Sequence, residues 1–156
     1  MTPLLIEEDD PSRKDVRDLL AQHRAFASSV MPPEGVHVLD PDEDASSDTV
    51  TLFSVRHDGE LLAVGSLKEL DSEHAELKSM HTAVFARGRG VGRALLDHLI
   101  AVAEARGAQR VSLETGVGEA FEPARALYAS AGFVPCGPFG DYEATPHNVF
   151  MTRALG

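Results

Sequence analysis

The amino-acid sequence predicts an α+β fold, with a mixed, mostly antiparallel central sheet of about six or seven strands flanked by about four helices. Two β-rich runs, residues 49–56 and 60–70, are joined by His57-Asp58-Gly59, and Asp-Gly at such a junction is typical of a hairpin. From residue 76 onward the pattern becomes strand, helix, strand, helix, strand, which indicates a crossover connection. Because 156 residues can bury a sizeable core, we expect residues 1–156 to form a single domain.

The N-terminal part of the chain predicts one strand, one helix and a long loop. Residues 2–6 alternate apolar and polar side chains, which is typical of a short strand. Asp10-Pro11 or Ser12 then caps a helix. Its apolar positions are Val16, Leu19, Leu20 and Phe26. Prolines and a glycine in residues 31–35 end this helix, and residues 36–48 are acidic and rich in turn formers, which predicts a loop.

Glycine and proline mark most boundaries in the second half of the chain. A strand is predicted over residues 76–85, a helix over 91–106 with Gly107 after its end, and a strand over 109–115. A second helix starts near Pro123 and stops at Gly132. Two further strands, residues 133–136 and 148–155, enclose a loop.

Composition and charge narrow the functional class. The formal net charge of −11, from 14 Lys and Arg against 25 Asp and Glu, argues against nucleic acid as a partner. It is compatible with a small cationic substrate, or simply with a solvated surface. No apolar run is long enough to span a membrane and residues 1–10 lack a signal-peptide pattern, so we expect a cytoplasmic protein. Cys136 is the single cysteine, which excludes an internal disulfide and favours a packing role, and no Cys/His spacing predicts a metal site.

The segment Arg87-Gly88-Arg89-Gly90-Val91-Gly92-Arg93 lies between a predicted strand and a predicted helix. Glycines let a ligand approach the backbone, and a helix start offers unpaired N–H groups and the positive end of a dipole. Together these features predict an anion site, for example for a pyrophosphate. The segment matches neither the dinucleotide fingerprint Gly-x-Gly-x-x-Gly nor a Walker A loop. The alternative is a turn that only lets the helix pack.

Two motifs resemble those of the GNAT superfamily of N-acetyltransferases. Arg87, Gly90 and Gly92 fit its pyrophosphate loop, Arg/Gln-x-x-Gly-x-Gly/Ala, and residues 124–133 resemble its Ala-x-x-Leu-Tyr-x-x-x-Gly-Phe signature. The resemblance implies acetyl-CoA as co-substrate, with its pyrophosphate on the backbone of residues 87–92.

The same resemblance assigns roles to the strand that precedes the glycine segment. In this superfamily the pantetheine arm lies along the fourth strand, which places Met80, His81 and Thr82 beside the thioester. Their backbone N–H groups would then be available to the developing oxyanion, where a preorganised donor is most effective.

Tyr128 and Glu76 are the catalytic candidates. The superfamily's general acid stands at the position of Tyr128, and a phenol can protonate the leaving thiolate. The alternative is a buried aromatic whose hydroxyl is hydrogen-bonded. Glu76 resembles the glutamate base of several members, with Glu69 and His81 as competitors. A strand-end charge, or a partner for Lys78, is the alternative role for Glu76.

Two departures from the superfamily pattern affect these expectations. An asparagine that often contacts the cofactor is replaced by Phe121, so that contact is absent or Phe121 packs on the pantetheine instead. The fourth strand also carries more polar side chains than usual. For these reasons a non-catalytic acyl-CoA-binding sensor, or a module that regulates a partner, is the alternative to an enzyme.

The expected activity is transfer of an acetyl group to a primary amine of a small molecule or peptide by direct nucleophilic attack. Asp141 or Tyr142, in the loop of residues 137–147, could meet the amine, although a plain turn is the alternative. Residues 36–40 could also reach the acceptor pocket. Because the superfamily often dimerises, a homodimer is also an expectation.

Overall fold

The computed structural model describes residues 3–30, 49–140 and 142–155, and it confirms the α+β fold. Seven strands form one sheet: β1 (Leu5–Glu8), β2 (Val50–His57), β3 (Glu60–Glu69), β4 (His74–Thr82), β5 (Arg110–Gly116), β6 (Val134–Cys136) and β7 (Asn148–Ala154). The described residues include three α-helices: α1 (Lys14–Val30), α2 (Val91–Ala105) and α3 (Glu122–Ser130). Short 3₁₀ turns, Val84–Ala86 and Glu119–Phe121, precede α2 and α3. The predicted loop 36–48 and Asp141 lie outside the described residues.

The strand order of the sheet is β1-β2-β3-β4-β5-β7-β6. Every neighbouring pair is antiparallel except β4 and β5, which are parallel and are connected through α2. A parallel pair needs a crossover connection, and here that connection carries the glycine segment into the start of α2. The fold therefore places the glycine segment at the end of β4, next to the one parallel junction of the sheet.

The predicted hairpin joins β2 and β3. Asp58 and Gly59 both have positive φ, 51° and 84°, as the favoured two-residue turn requires. His57 and Glu60 pair across it and the ladder continues to Val50 and Lys68. The Asp-Gly pair thus sets the register of the strands on which β4 is built.

The core lies on both faces of the sheet centre. Leu95 and Leu99 of α2 pack over Gly65 of β3, where an added Cβ would approach each leucine to 3.2 Å. That contact is tighter than most packed atoms accept, so glycine lets α2 lie close to the sheet. On α1, the apolar side chains of Val16, Leu19 and Leu20 are buried.

The first strand is displaced from its predicted position at residues 2–6. β1 pairs with Phe53–Arg56 of β2, and this register carries the chain to Asp9. The carboxylate of Asp9 accepts hydrogen bonds from Ser54 Oγ at 2.6 Å and Arg56 Nε at 3.1 Å. Arg56 is 5% exposed and also binds Asp15 of α1. This buried network, invisible to local periodicity, fixes both β1 and the start of α1.

Candidate active site

A cleft opens where β4 and β5 separate. The two strands pair only from His74 and Arg110 to Leu77 and Leu113. Beyond that point β5 pairs with β7 as far as Gly116, while β4 continues along β3 as far as Thr82. A cavity of about 550 Å³ occupies the space between the two strands. Side chains and backbone from both strands, α1, α2 and α3 line it, together with the glycine segment.

β4 is bulged beside this cleft. Its register against β3 shifts between Val64 and Ser66, so that Ser79 and Met80 together oppose Gly65. Ser79 has a φ of 54°, in the left-handed region that a non-glycine residue adopts at a cost of about 1 kcal/mol. The bulge turns Met80 toward α2, where it lies against Gly65, and His81 toward α1.

The glycine segment forms the mouth of the cleft at the N-terminus of α2. Gly88 and Gly90 have φ of 79° and 77°, and neither has an atom within 4 Å of the position a Cβ would take. The first intrahelical bond runs from the N–H of Ala94 to the carbonyl of Gly90 at 3.0 Å. The amides of Val91, Gly92 and Arg93 therefore precede the helical ladder, and a glycine N-cap has no side chain to satisfy them.

The arginines of this segment have different surroundings. Arg87 folds back and its Nε donates to the carbonyl of Thr82 at 3.2 Å. Arg93 Nε binds Asp97 at 2.9 Å and its Nη1 donates to Ser130 Oγ at 3.1 Å, which joins α2 to α3. Arg89 is exposed. Arg89 is thus available to an anion at the mouth without breaking any of these contacts.

Tyr128 lines the cleft from α3. Its ring packs edge-on against Phe133, with centroids 6.1 Å apart. Burial raises the pKa of the phenol to about 12, so it stays protonated at neutral pH and can act as a proton donor. The glycine Gly132 ends α3, as predicted, and the amide of Phe133 donates to the carbonyl of Tyr128 at 3.1 Å.

Glu76 lies deep in the same cleft and is 2% exposed. Its Oε2 accepts a hydrogen bond of 2.5 Å from the hydroxyl of Tyr142, and Lys78 Nζ donates to that hydroxyl at 3.1 Å. Burial raises the pKa of the carboxyl group, while the charge of Lys78 and the Tyr142 hydrogen bond act against the rise. Lys78 thus reaches Glu76 through Tyr142. The competitor Glu69 lies elsewhere, 3.8 Å from Arg106, and does not line the cleft.

A histidine pair and two phenylalanines form another wall. The Nδ1 atoms of His23 in α1 and His81 in β4 are 3.1 Å apart. Phe26 lies against His81 and also packs edge-on against Phe121, with centroids 5.3 Å apart. Burial lowers the pKa of both imidazoles to about 4, so the pair is neutral at pH 7 and one ring donates to the other. The Phe121 ring also covers Gly116, where a Cβ would collide with it.

The polar fourth strand now has a structural explanation. Lys78 and His81 each bind a side chain from a distant part of the chain, Tyr142 and His23 respectively. His23 is absent from the predicted site residues, and Phe26 was predicted only as an apolar position of the first helix. Their three-residue spacing on α1 is the one signal that both face the same side.

No group of three or more His, Cys, Asp or Glu side chains in residues 3–30, 49–140 and 142–155 is placed to hold a metal ion. Within the same ranges, no helix combines the length and apolarity needed to span a membrane.

Comparison with known proteins identifies the fold and its family. The model of the acetyltransferase (GNAT) family matches residues 17–133. The uncharacterized N-acetyltransferase YsnE of Bacillus subtilis (strain 168) is 43% identical over 150 residues, covering 96% of this chain and 99% of that protein.

Two solved structures share the architecture. A putative acyl-CoA N-acyltransferase from Klebsiella pneumoniae subsp. pneumoniae MGH 78578 superposes with a TM-score of 0.80 at 26% identity, over 98% of each chain. A GNAT family acetyltransferase from Elizabethkingia anophelis with acetyl-CoA bound has a TM-score of 0.73 at 16% identity, over 97% of this chain and 98% of that one. At that identity the second comparison supports the fold alone.

Proposed function

The chain belongs to the GNAT acetyltransferase family, and from that premise we propose that it transfers the acetyl group of acetyl-CoA to a primary amine by direct nucleophilic attack. The observation that carries this proposal is a single cleft that joins the amides preceding the helical ladder of α2 to a buried carboxylate and a protonated phenol. The amine is on a small molecule or a peptide.

The mouth of the cleft is proposed to hold the donor. The amides of residues 91–93 and the positive end of the α2 dipole suit a pyrophosphate, and Gly88 and Gly90 let it come close to the backbone. Arg87, Arg89 and Arg93 add positive charge around this backbone. The pantetheine arm is proposed to run along the bulged part of β4, past Met80, His81 and Thr82, where β5 no longer pairs with it.

Two side chains are proposed to move protons. When bound, acetyl-CoA supplies a thioester carbonyl carbon, to which the amine nitrogen bonds as the carbon–sulfur bond breaks. Glu76 takes the proton that the amine nitrogen loses, directly or through water. Tyr128 gives its proton to the departing sulfur, which a phenol held in its neutral form can do.

The acceptor is proposed to enter between α1 and β4. Glu76 provides a negative charge at depth, while His23, Phe26 and Phe121 provide a mostly apolar wall. An amine attached to an apolar or aromatic body suits this combination better than a polycation, which would need several carboxylates. The assignment of residues 1–156 to one domain, a cytoplasmic location and a homodimer stay predictions of the sequence.

Acetyl-CoA binding and turnover test this proposal separately. A ligand that binds only the folded protein raises its melting temperature, so acetyl-CoA should do so, by about 2.7 kcal/mol of added stability at a hundred times its Kd. Release of free thiol should then require an amine from a panel that spans arylalkylamines, amino acids, polyamines and peptide N-termini. Binding without amine-dependent thiol release across that panel would contradict transfer to an amine.

A further inference from the structure

The proposed proton transfer leaves one part of the site unused, the Tyr142 hydroxyl between Lys78 and Glu76. Tyr142 accepts a hydrogen bond from Lys78 Nζ at 3.1 Å and donates one to Glu76 Oε2 at 2.5 Å. Lys78 and Glu76 lie on β4, whereas Tyr142 lies in a loop 64 to 66 residues later in the chain. The two hydrogen bonds link an ammonium, a phenol and a buried carboxylate in a row. Because the phenol is far from the other two groups in the sequence, this arrangement exists only in the folded protein.

We propose that Tyr142, held by Lys78, is a positioning residue that fixes one oxygen of Glu76 so that the other takes the proton of the acceptor. The inference rests on the proposed function of Glu76 as the base. Among the described residues, Glu76 Oε1 has no hydrogen-bond partner, and Glu76 lines the cleft. With Oε2 occupied, Oε1 is the atom left for the acceptor.

The Tyr142 ring has its own anchors, which separate the hydroxyl from the packing. Its centroid lies 5.3 Å from that of Phe139, edge-on, and 5.9 Å from that of Phe150. Phe150 is a buried residue of β7, and Phe139 also packs on it and on His74. Removing only the hydroxyl therefore leaves the ring held by the same aromatic cluster.

The charges around Glu76 determine how the Tyr142 hydroxyl affects its carboxyl group. Lys78 on β4 and Lys68 on β3 favour the carboxylate, whereas burial and Glu114 on β5 disfavour it. The α1 side contributes His23, which is neutral at pH 7. A phenol that accepts from an ammonium is polarised and donates more strongly to a carboxylate, so Tyr142 passes the influence of Lys78 on to Oε2.

A hydrogen bond to a charged group contributes enough free energy to change the proton concentration at which that group titrates by about tenfold. Loss of the Tyr142 hydroxyl should therefore move the titration of Glu76 to higher pH. It should also lower kcat about tenfold on the acidic side of the pH profile, with much of the activity regained at high pH.

The test compares Tyr142→Phe with the unaltered protein in two measurements. The first follows the ¹³C resonance of the Glu76 carboxyl group against pH without turnover, assigned by its disappearance in Glu76→Gln. The second is the pH profile of kcat with an amine that the thiol-release panel identifies. Lys78→Met should shift the Glu76 titration and the kcat profile in the same direction as Tyr142→Phe does. Lys78→Arg, which keeps the charge, should leave both close to those of the unaltered protein.

Phe139→Leu is the matched control, because it loosens the same aromatic cluster and leaves every hydroxyl and charge in place. It should lower the melting temperature without moving the Glu76 titration. If Tyr142→Phe leaves the carboxyl titration where it was, the positioning role is wrong. If the carboxyl titration moves and the kcat profile does not, Tyr142 acts on Glu76 as proposed and it is the base assignment that fails.

Discussion

The two ends of the cleft are built in different ways. The mouth consists mostly of backbone: the amides that precede the helical ladder of α2, two left-handed glycines and the open edge of a bulged strand. The deep end consists of side chains brought together from three separate parts of the chain: Glu76, Lys78 and His81 of β4, His23 of α1, and Tyr142 of the loop before β7.

This difference indicates which part of the site other enzymes could share and which part is particular to this protein. In the proposed function the backbone site holds the pyrophosphate, a group that every acetyl-CoA molecule carries, so such a site can be the same in any enzyme that uses that donor. A side-chain site depends on which residues face it, so the proposed function assigns acceptor selection and proton transfer to the deep end. Substitutions at the deep end should change kcat, whereas those at the mouth should change the KM for acetyl-CoA.

The largest effect is expected for Glu76→Gln. The amide keeps the size of the side chain and can still accept from Tyr142, but it cannot take a proton. General base catalysis is worth roughly 10² to 10⁴ in rate, so kcat should fall by that range while the Kd of acetyl-CoA stays unchanged. Steady-state kinetics and calorimetry measure the two quantities. Glu69→Gln, which removes a carboxylate outside the cleft, should keep its activity within about twofold.

Tyr128→Phe should have the next largest effect. The ring keeps its contact with Phe133, and only the proton for the leaving thiolate is lost. We expect kcat to fall about a hundredfold with unchanged binding of acetyl-CoA. A Phe variant that turns over at the normal rate would show that water or another group protonates the sulfur, and the deep end would then supply the only side chain that moves a proton.

Gly90→Ala tests the mouth. At a φ of 77° a Cβ costs about 1 to 2 kcal/mol, and the amides behind it would shift. The KM for acetyl-CoA should rise about tenfold with little change in kcat. Gly59→Ala is the matched control, since it places the same strain, at a φ of 84°, in the distant β2–β3 turn. It should lower the melting temperature and leave the KM unchanged. Equal KM values for both variants would contradict a donor site at the mouth.

The same difference explains how far the sequence could be interpreted. The mouth was predictable because its parts, residues 87–93, are adjacent in the chain and their spacing carries the physics of a helix start. The glycine-ended helices and the Asp58-Gly59 hairpin were predictable for the same reason.

The deep end was not predictable in this way. Its contacts span 58 residues between His23 and His81 and 66 between Glu76 and Tyr142, so no local pattern encodes them. In the sequence, Glu76 led its competitor Glu69 only by resemblance to the superfamily, because both carboxylates lie near strand ends. Only the separation of β4 from β5 after Leu77 decides that Glu76 faces a cavity. The shift of β1 to Leu5–Glu8 also depends on a long-range network, that of Arg56.

The smallest expected effect concerns stability, and it also belongs to the deep end. The histidine pair has pKa values of about 4 in the folded protein against 6.5 for an ordinary histidine, so the unfolded chain binds more protons between those values. Stability should therefore be complete above pH 6.5 and decrease as the pH falls toward 4. Each ring contributes less than about 1.4 kcal/mol per pH unit to this decrease in stability, because both rings are partly open to the cleft.

His81→Gln should make that decrease shallower, since an amide can still bind His23 but does not titrate. Denaturant unfolding at several pH values between 4 and 7 measures the slope. Burial raises the pKa of Glu76, which works in the opposite direction because stability from a raised pKa is lost as the pH rises, but it is common to both proteins and cancels in the difference. Phe26→Leu, which removes a ring beside His81 and no titrating group, should lower stability equally at every pH. A slope that His81→Gln leaves unchanged would mean that the pair is not held neutral by burial. The deep end would then be as open to water as the mouth. The two ends would differ only in being built from side chains and from backbone, respectively.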